Sequence, residues 1–403
     1  MNYQPPRGTR DFFGDEIRKL RKAESVFVQV LSLYGFEEIK TPVFEDTALF
    51  KRSIGEGSDI VKKQMYTFPD KSGRSLSLRP EGTAPVARAF ISGNLLTGLP
   101  RRFYYSGEMF RYERPQKDRR REFFQVGAEI FGEKSITADV EAIGICANVF
   151  KKLNIPFSLE INSIGCPDCR GEYEKVFKKW LKERITRFCS DCQERFVGNP
   201  LRVLDCKKAS CREELAGAPE FGKFLCSNCR KNFEDVRGNL SKKKIGYKVN
   251  PRLVRGLDYY NGCVFEFYSS GAKDAIAAGG RYDGLVKFLG GPDVPAVGFA
   301  VGIDRVLSMI EVKNERKGYI VIGAGIEVGA LEDIAGNIRD KGKTCIVSTK
   351  KKMNSSLKFA SEKNLRYAVF VGESELNSGS ITKKDLETGI QETILLEEFF
   401  KEL

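Results

Sequence analysis

Between residues 252 and 283 the chain carries side chains that could bind a small charged molecule. Arg255 stands just before the adjacent Tyr259 and Tyr260, and a double glycine, Gly279-Gly280, leads directly into Arg281, Tyr282 and Asp283. Glycine lets a backbone approach a ligand closely. Arginine pairs carboxylates and phosphates in a fork, and a tyrosine hydroxyl can hold a polar edge. Together these residues describe a pocket for a small zwitterion beside a phosphate.

A second segment, residues 107–129, reads as strand, basic loop, strand. Its loop holds Arg114, Lys117, Arg119, Arg120 and Arg121, with Pro115 bending the chain. A solvated charged hairpin would explain the loop alone. However, Arg111 and Glu113 precede it at strand spacing, and Phe123, Gln125, Gly127 and Glu129 follow with period two, so each set shares a sheet face. One face thus offers a phosphate-pairing arginine, an aromatic surface and an inward acid, a set that suits a nucleotide. Two shorter segments contribute less. In Ala296–Arg305, small residues allow close packing before Arg305 at a helix start. In Leu78–Pro85, Pro80 and Gly82 fix a turn presenting Glu81 and Thr83.

The chain contains no histidine, which excludes Ser-His and Cys-His nucleophile pairs and histidine metal ligands. Catalysis must lean on positioning and fixed charge. The 67 basic against 54 acidic residues give a net charge of +13. That balance favours a polyanionic partner, although a basic, well-solvated surface explains it equally well. At 41% hydrophobic and 30% charged residues, the composition is that of a globular protein. No apolar run approaches the roughly 18 residues of a membrane span, and the amino terminus lacks a signal-peptide core. A cytoplasmic protein without membrane partners is expected.

These residues need a scaffold to position them. Residues 15–34 read as an amphipathic helix, with Ile17, Leu20, Ala23, Phe27, Val30 and Tyr34 on one stripe and Gly35 as its stop. Phe36–Phe44 looks like a strand interrupted by Pro42, which suits an edge. Further strands are expected near Ser75–Leu78, Arg102–Tyr105, Phe123–Ile130, Ser158–Ile161 and Val264–Tyr268. Strands joined by loops and hairpins predict an α+β fold on a mostly antiparallel sheet. After residue 317, short apolar strands alternate with helical stretches, the pattern of a small α/β domain with parallel pairing. The expected division is a core over 1–162 and 244–312, a cysteine-rich insertion over 163–243, and a separate domain over 318–403.

Eight of the 11 cysteines fall in that insertion: Cys166, Cys169, Cys189, Cys192, Cys206, Cys211, Cys226 and Cys229. Three C-x-x-C pairs have zinc-like spacing, against the plainer reading of unrelated small core residues. Residues 170–188 carry apolar positions at helical spacing, and such a helix would run roughly 28 Å. Cys166/Cys169 and Cys189/Cys192 would then lie too far apart to share one ion. Two four-cysteine zinc sites, or one site and a spare pair, are both open. The preferred set is Cys189 and Cys192 with Cys206 and Cys211.

In combination the motifs resemble a class II aminoacyl-tRNA synthetase and, within that class, the histidyl-tRNA synthetase family. Gly35–Pro42 with its preceding helix, Arg111–Glu129, and Gly298–Arg305 resemble the three class signatures. Leu253–Tyr260 and Ala277–Tyr282 resemble the histidine-specific ones, and Pro6–Asp11 also fits. The resemblance spans essentially the whole chain. It implies a homodimeric ligase that uses ATP with Mg2+ to activate histidine as histidyl-adenylate. Histidine then passes to the 3′ end of tRNA(His), and residues 318–403 form the anticodon-binding domain.

It also implies a role for each site residue. Arg111 would hold the α-phosphate and Arg305 the γ-phosphate, Phe123 would stack on adenine, and Glu113 would meet its amino edge. Glu81 and Thr83 would take the substrate ammonium, Gln125 the amino-acid backbone, and Glu129 with Tyr259 and Tyr260 the imidazole side. Arg255 would bridge carboxylate and α-phosphate, and Arg114, Gln116 and Lys117 would contact the tRNA acceptor end. Two positions depart from the family pattern: Phe124, where histidine is frequent, and Cys263, where threonine is frequent. A catalytically dead paralogue acting as a regulatory subunit is the competing reading. Such paralogues lose catalytic arginines and the carboxy-terminal domain, whereas this chain keeps Arg111, Arg255, Arg305 and an α/β tail.

Overall fold

A computed structural model describes residues 3–115, 119–270, 274–313, 315–350 and 352–403. The chain divides after Val312 into two compact units.

In the first unit eight strands form one sheet, in the lateral order Glu37–Glu38, Arg101–Phe110, Glu122–Phe131, Ala296–Gly302, Ala277–Arg281, Asn261–Ser269, Phe157–Ser163 and Lys248–Val249. The pairs at the two edges are parallel, and every pair between them is antiparallel. The mostly antiparallel sheet expected from the loop pattern is present. Strand alternation sorts its residues onto two faces. Phe124, Val126, Ala128 and Ile130 pack into a core with Leu20, Ala23, Phe27 and Val30 of the Gly14–Leu33 helix and Ile143, Cys146 and Phe150 of the Thr137–Lys152 helix. Asp15 and Glu16 in the first turn of Gly14–Leu33 complement the helix dipole. Gly35, at φ 73°, ends it in the left-handed conformation that glycine tolerates.

The opposite face carries Phe103, Tyr105, Val264 and Tyr282, covered by Val86 and Phe90 of the Thr83–Ser92 helix and by Tyr173 and Phe177 of the Pro167–Lys182 helix. The cysteine-bearing segment therefore packs on the face that Gln125 and Glu129 share. Its helix ends at Lys182 rather than running to 188, because Ile185–Arg187 forms a short 3-10 turn before Cys189. A later helix, Ser227–Lys242, returns Val236 and Leu240 to the first core.

Two local expectations change. Phe36–Phe44 is not one strand: Glu37–Glu38 pairs at the edge of the large sheet, while Phe44–Asp46 joins a separate three-stranded sheet. Pro42 lies between them, where the chain leaves one ladder for the other. Arg111 and Glu113 stand just beyond the end of the Arg101–Phe110 strand, although the Arg111 N–H still donates to the Arg121 carbonyl at 2.8 Å and extends the hairpin.

In the second unit five strands run Cys345–Val347, Tyr319–Gly323, Tyr367–Val371, Ser380–Asp385, Gln391–Leu395. The first three are parallel, as their alternation with helices predicts. The last two form an antiparallel hairpin. Gln391–Leu395 is almost wholly exposed and so carries no apolar signal that sequence reading could detect.

Candidate active site

Glu129 lies on the second sheet face and is fully buried. Its Oε1 accepts from the Thr83 hydroxyl at 2.7 Å, and its Oε2 accepts from the Tyr282 hydroxyl. Gly298 is its register partner on the neighbouring strand. A Cβ on Gly298 would collide with the Glu129 carboxylate and come 2.6 Å from the Ala128 carbonyl, so only glycine leaves the acid its place. Burial pushes the Glu129 carboxyl up to about 8, against the lowering effect of its two hydroxyl donors.

Glu81 forms the adjacent wall. Its carboxylate accepts from the N–H groups of Thr83 at 2.8 Å and Ala84 at 2.9 Å, where the Thr83–Ser92 helix begins, and from the Tyr259 hydroxyl at 3.4 Å. Burial raises its carboxyl above the ordinary value, opposed by these N–H donors. Tyr259, Tyr260 and Tyr282 form an aromatic cluster, with Tyr260 and Tyr282 at 6.1 Å and 89°. Tyr105 completes the wall. Its ring fills space left open by Gly82 and Gly127, where any Cβ would overlap it. Among the described residues, the buried hydroxyl of Tyr105 and the buried Gln125 Oε1 meet no hydrogen-bond partner. Such groups are costly unless a ligand or water meets them.

Beyond this polar floor opens a cavity of about 370 Å³ lined by Glu81, Thr83, Arg111, Glu113, Phe123, Gln125, Arg255, Tyr259, Tyr260 and Arg305. Arg111 donates through Nε to the Pro80 carbonyl at 2.8 Å, and its guanidinium stands 5.3 Å from the Phe123 ring centre. Arg255 pairs with Glu266 and lies 5.6 Å from the Tyr260 ring centre, while its buried Nε meets no partner among the described residues. Burial opposes its charge, but Glu266 and Tyr260 outweigh this and raise its pKa, so it is a permanent cation. Arg305 donates to the Ala275 carbonyl and faces Asp274 at 3.6 Å. A larger cavity of about 930 Å³ adjoins it and shares Lys207, Arg212 and Glu266.

The arginines, acids and aromatic residues singled out in the sequence thus converge. Glu129 sits beneath the cavity, tied to it through Thr83. Arg114 is exposed, and Gln116 and Lys117 lie outside the described residues. Arg281 does not face the pocket: its guanidinium is buried against Asp139 and the carbonyls of Glu133 and Ser135. It supports the sheet while its neighbour Tyr282 turns to Glu129 and the tyrosine cluster. The sequence reading passed over Tyr105, Tyr282 as the donor to Glu129, and Asp304. Asp304 accepts from Arg10 at 2.7 Å and from the Phe124 N–H at 2.8 Å, fixing the strand that bears Phe123. The alternation of Tyr105 with Phe103 was the available signal for the first. Phe124 and Cys263 pack toward the opposite core, away from the cavity.

The eight insertion cysteines gather into two sets, Cys166/Cys169/Cys226/Cys229 and Cys189/Cys192/Cys206/Cys211, with the sulfur atoms of each within 4.8 Å of one another. Cys166 and Cys169 Sγ are 3.5 Å apart, and Cys189 and Cys206 Sγ are 3.9 Å apart. The Cys229 N–H and neighbouring thiols pull Cys226 down to about 7, toward the thiolate form that ligates metals.

The family model described as histidyl-tRNA synthetase matches residues 8–165 and 210–306, and the anticodon binding domain model matches 320–403. The histidine–tRNA ligase of Thermosipho melanesiensis is 42% identical over 402 residues, covering 96% of this chain and 95% of that protein. That of Sulfurovum sp. is 44% identical over 400 residues, covering 98% and 99%. The crystal structure of apo S. aureus histidyl-tRNA synthetase superimposes with a TM-score of 0.83 at 32% identity, covering 100% of this chain and 99% of that one. On this sequence and structural agreement, the chain belongs to the histidyl-tRNA synthetase family.

Proposed function

We propose that the pocket and cavity together form a histidine-activating site. The chain is a histidine–tRNA ligase: it joins histidine to ATP as histidyl-adenylate with release of pyrophosphate, then passes histidine to the 3′ end of its tRNA. The observation that carries the reading is the contiguity of a buried acid, Glu129, with a cavity whose wall holds Arg111, Arg255 and Arg305.

Glu129, aligned by Thr83 and Tyr282, faces one nitrogen of the imidazole, and Tyr260 the other side, with Tyr259 packed beside it. Glu81 and Thr83 receive the substrate ammonium, and Gln125 the amino-acid backbone. Phe123 and the Arg111 guanidinium form the nucleotide platform, with Glu113 at the adenine amino edge. The reaction brings two anions together. Arg111 at the α-phosphate, Arg255 between carboxylate and α-phosphate, and Arg305 at the γ-phosphate screen that repulsion and the charge that grows on phosphorus. With no histidine in the chain, Arg111, Arg255 and Arg305 act as fixed cations, and alignment and fixed charge supply the acceleration. The Mg2+ that accompanies ATP in this family would neutralise phosphate charge. Glu266, a carboxylate on the cavity wall, would contribute to holding it.

Several finer features belong to the same reading. Residues 1–162 and 244–312 are the catalytic core, 163–243 the insertion, and 318–403 the anticodon-binding domain. The acceptor end of tRNA meets the loop bearing Arg114, Gln116 and Lys117. Each four-cysteine set holds one structural Zn2+. Tetrahedral bonds of about 2.3 Å place sulfur atoms about 3.8 Å apart, in keeping with the observed spacings. The protein works as a homodimer in the cytoplasm. Exposed Leu33, Val43, Phe44 and Phe68 near the sheet edge support the dimer, and 11 cysteines outside any disulfide support a reducing compartment. Among the described residues no helix is long and apolar enough to cross a membrane. Histidine-dependent exchange of pyrophosphate into ATP tests the reading; its absence, with tRNA charging also absent, would overturn it.

A further inference from the structure

We propose that Lys207, a residue of the cysteine-rich segment, is an additional ligand for the outer phosphates of ATP. The inference rests on the reading of the 370 Å³ cavity as the ATP site. Lys207 lines that cavity with Arg111, Phe123 and Arg305. Its Nζ donates to Asp274 Oδ1. The other oxygen of Asp274 faces Arg305 Nη2 at 3.6 Å and Arg119 Nε at 3.8 Å. Three cations from three distant parts of the sequence therefore converge on one carboxylate. Arg119 also faces Glu113 at 3.5 Å, and three cationic side chains gathered at one end of a cavity form a cluster that a polyphosphate matches. Arg305 marks this end of the cavity as the one for the outer phosphates, away from the Arg111–Phe123 platform.

The local chain explains how Lys207 comes to point there. It directly follows Cys206, whose side chain is buried in the Cys189/Cys192/Cys206/Cys211 set. The Cys206 N–H donates to the Val203 carbonyl at 3.1 Å, closing the turn that ends Pro200–Asp205. The thiol is thus fixed on one side while the lysine, about half exposed, projects into the cavity. The other set, Cys166/Cys169/Cys226/Cys229, presents no residue to this cavity. The first cysteine set is accordingly a mount for a substrate-binding cation as well as a fold element.

Binding of ATP, pyrophosphate and AMP to the full-length protein, measured by isothermal titration calorimetry on wild type, K207M and K207R, tests the proposal. K207M is expected to bind ATP and pyrophosphate roughly tenfold more weakly, with AMP binding and bound metal unchanged and K207R restoring most of the loss. Unchanged ATP affinity in K207M, or AMP weakening in step with ATP, would overturn it. A wild-type protein that binds ATP but shows no histidine-dependent pyrophosphate exchange would instead bring down the activation-site reading, and this inference with it.

Discussion

The Thr83 hydroxyl donates to Glu129 across 2.7 Å, which ties the first residue of the Thr83–Ser92 helix to the buried acid. The same helix start holds Glu81 through two N–H groups. The carboxylates assigned to ammonium and to imidazole therefore share one rigid support, and a change in either is felt by the other.

Protonation of Glu129 gives the first prediction. Its carboxyl titrates near 8 when folded, against an ordinary 4.5. The folded state therefore holds a proton that the unfolded state has released. That contribution to stability is complete below about 4.5 and is lost as pH rises through about 8. Wild-type melting temperature should fall more steeply between pH 5 and pH 8.5 than that of E129Q, with substrate absent. Parallel curves would remove Glu129 as the source. The same variant should lose most histidine-dependent exchange at every pH.

Tyr105 supplies a sharper separation of stability from binding. Its buried hydroxyl has no partner among the described residues, so Y105F removes an unsatisfied group and should leave the free protein equally stable or up to about 1 kcal/mol more stable. Where the hydroxyl meets bound histidine, KM for histidine should rise severalfold. Thermal unfolding and exchange kinetics on the same preparation check both halves. A clear loss of stability would show that the hydroxyl is satisfied in the free protein.

Close packing at Gly298 predicts a structural failure. G298A places a methyl group against Glu129 and the Ala128 carbonyl, and overpacking of this kind costs about 1–3 kcal/mol. Urea unfolding should register that loss, together with reduced histidine affinity. Wild-type affinity in a destabilised protein would mean that the strand yields without moving the acid.

Metal content follows from the two cysteine sets. Purified protein should carry about two equivalents of zinc, and C211S about one. Elemental analysis below about half an equivalent in wild type would contradict both sites.

Much of this site was legible because its chemistry is concentrated in short segments. Period-two spacing from Phe123 to Glu129 placed the aromatic ring and the buried acid on one face, and the zinc-like spacing of the cysteines marked their module. What escaped were relationships created only by strand register and long-range packing. Tyr282 reaches Glu129 from 153 positions along the chain, and Asp304 anchors Phe124 from 180 positions. Arg281 shows the converse: a residue in a ligand-like motif whose partner, Asp139, lies on a helix that sequence spacing could not bring to it. The terminal Gln391–Leu395 strand escaped because it pairs through its backbone with almost no buried side chain.

In the proposed reaction, fixed cations around Arg255 drive adenylation of histidine. Histidine-dependent pyrophosphate exchange in wild type and R255A, with ATP binding measured alongside, tests it most directly. Wild-type exchange should be robust, R255A should fall on the order of a thousandfold in kcat, and ATP affinity should change by less than about tenfold. Exchange in R255A within a few-fold of wild type, or a loss that tracks ATP binding alone, would contradict it.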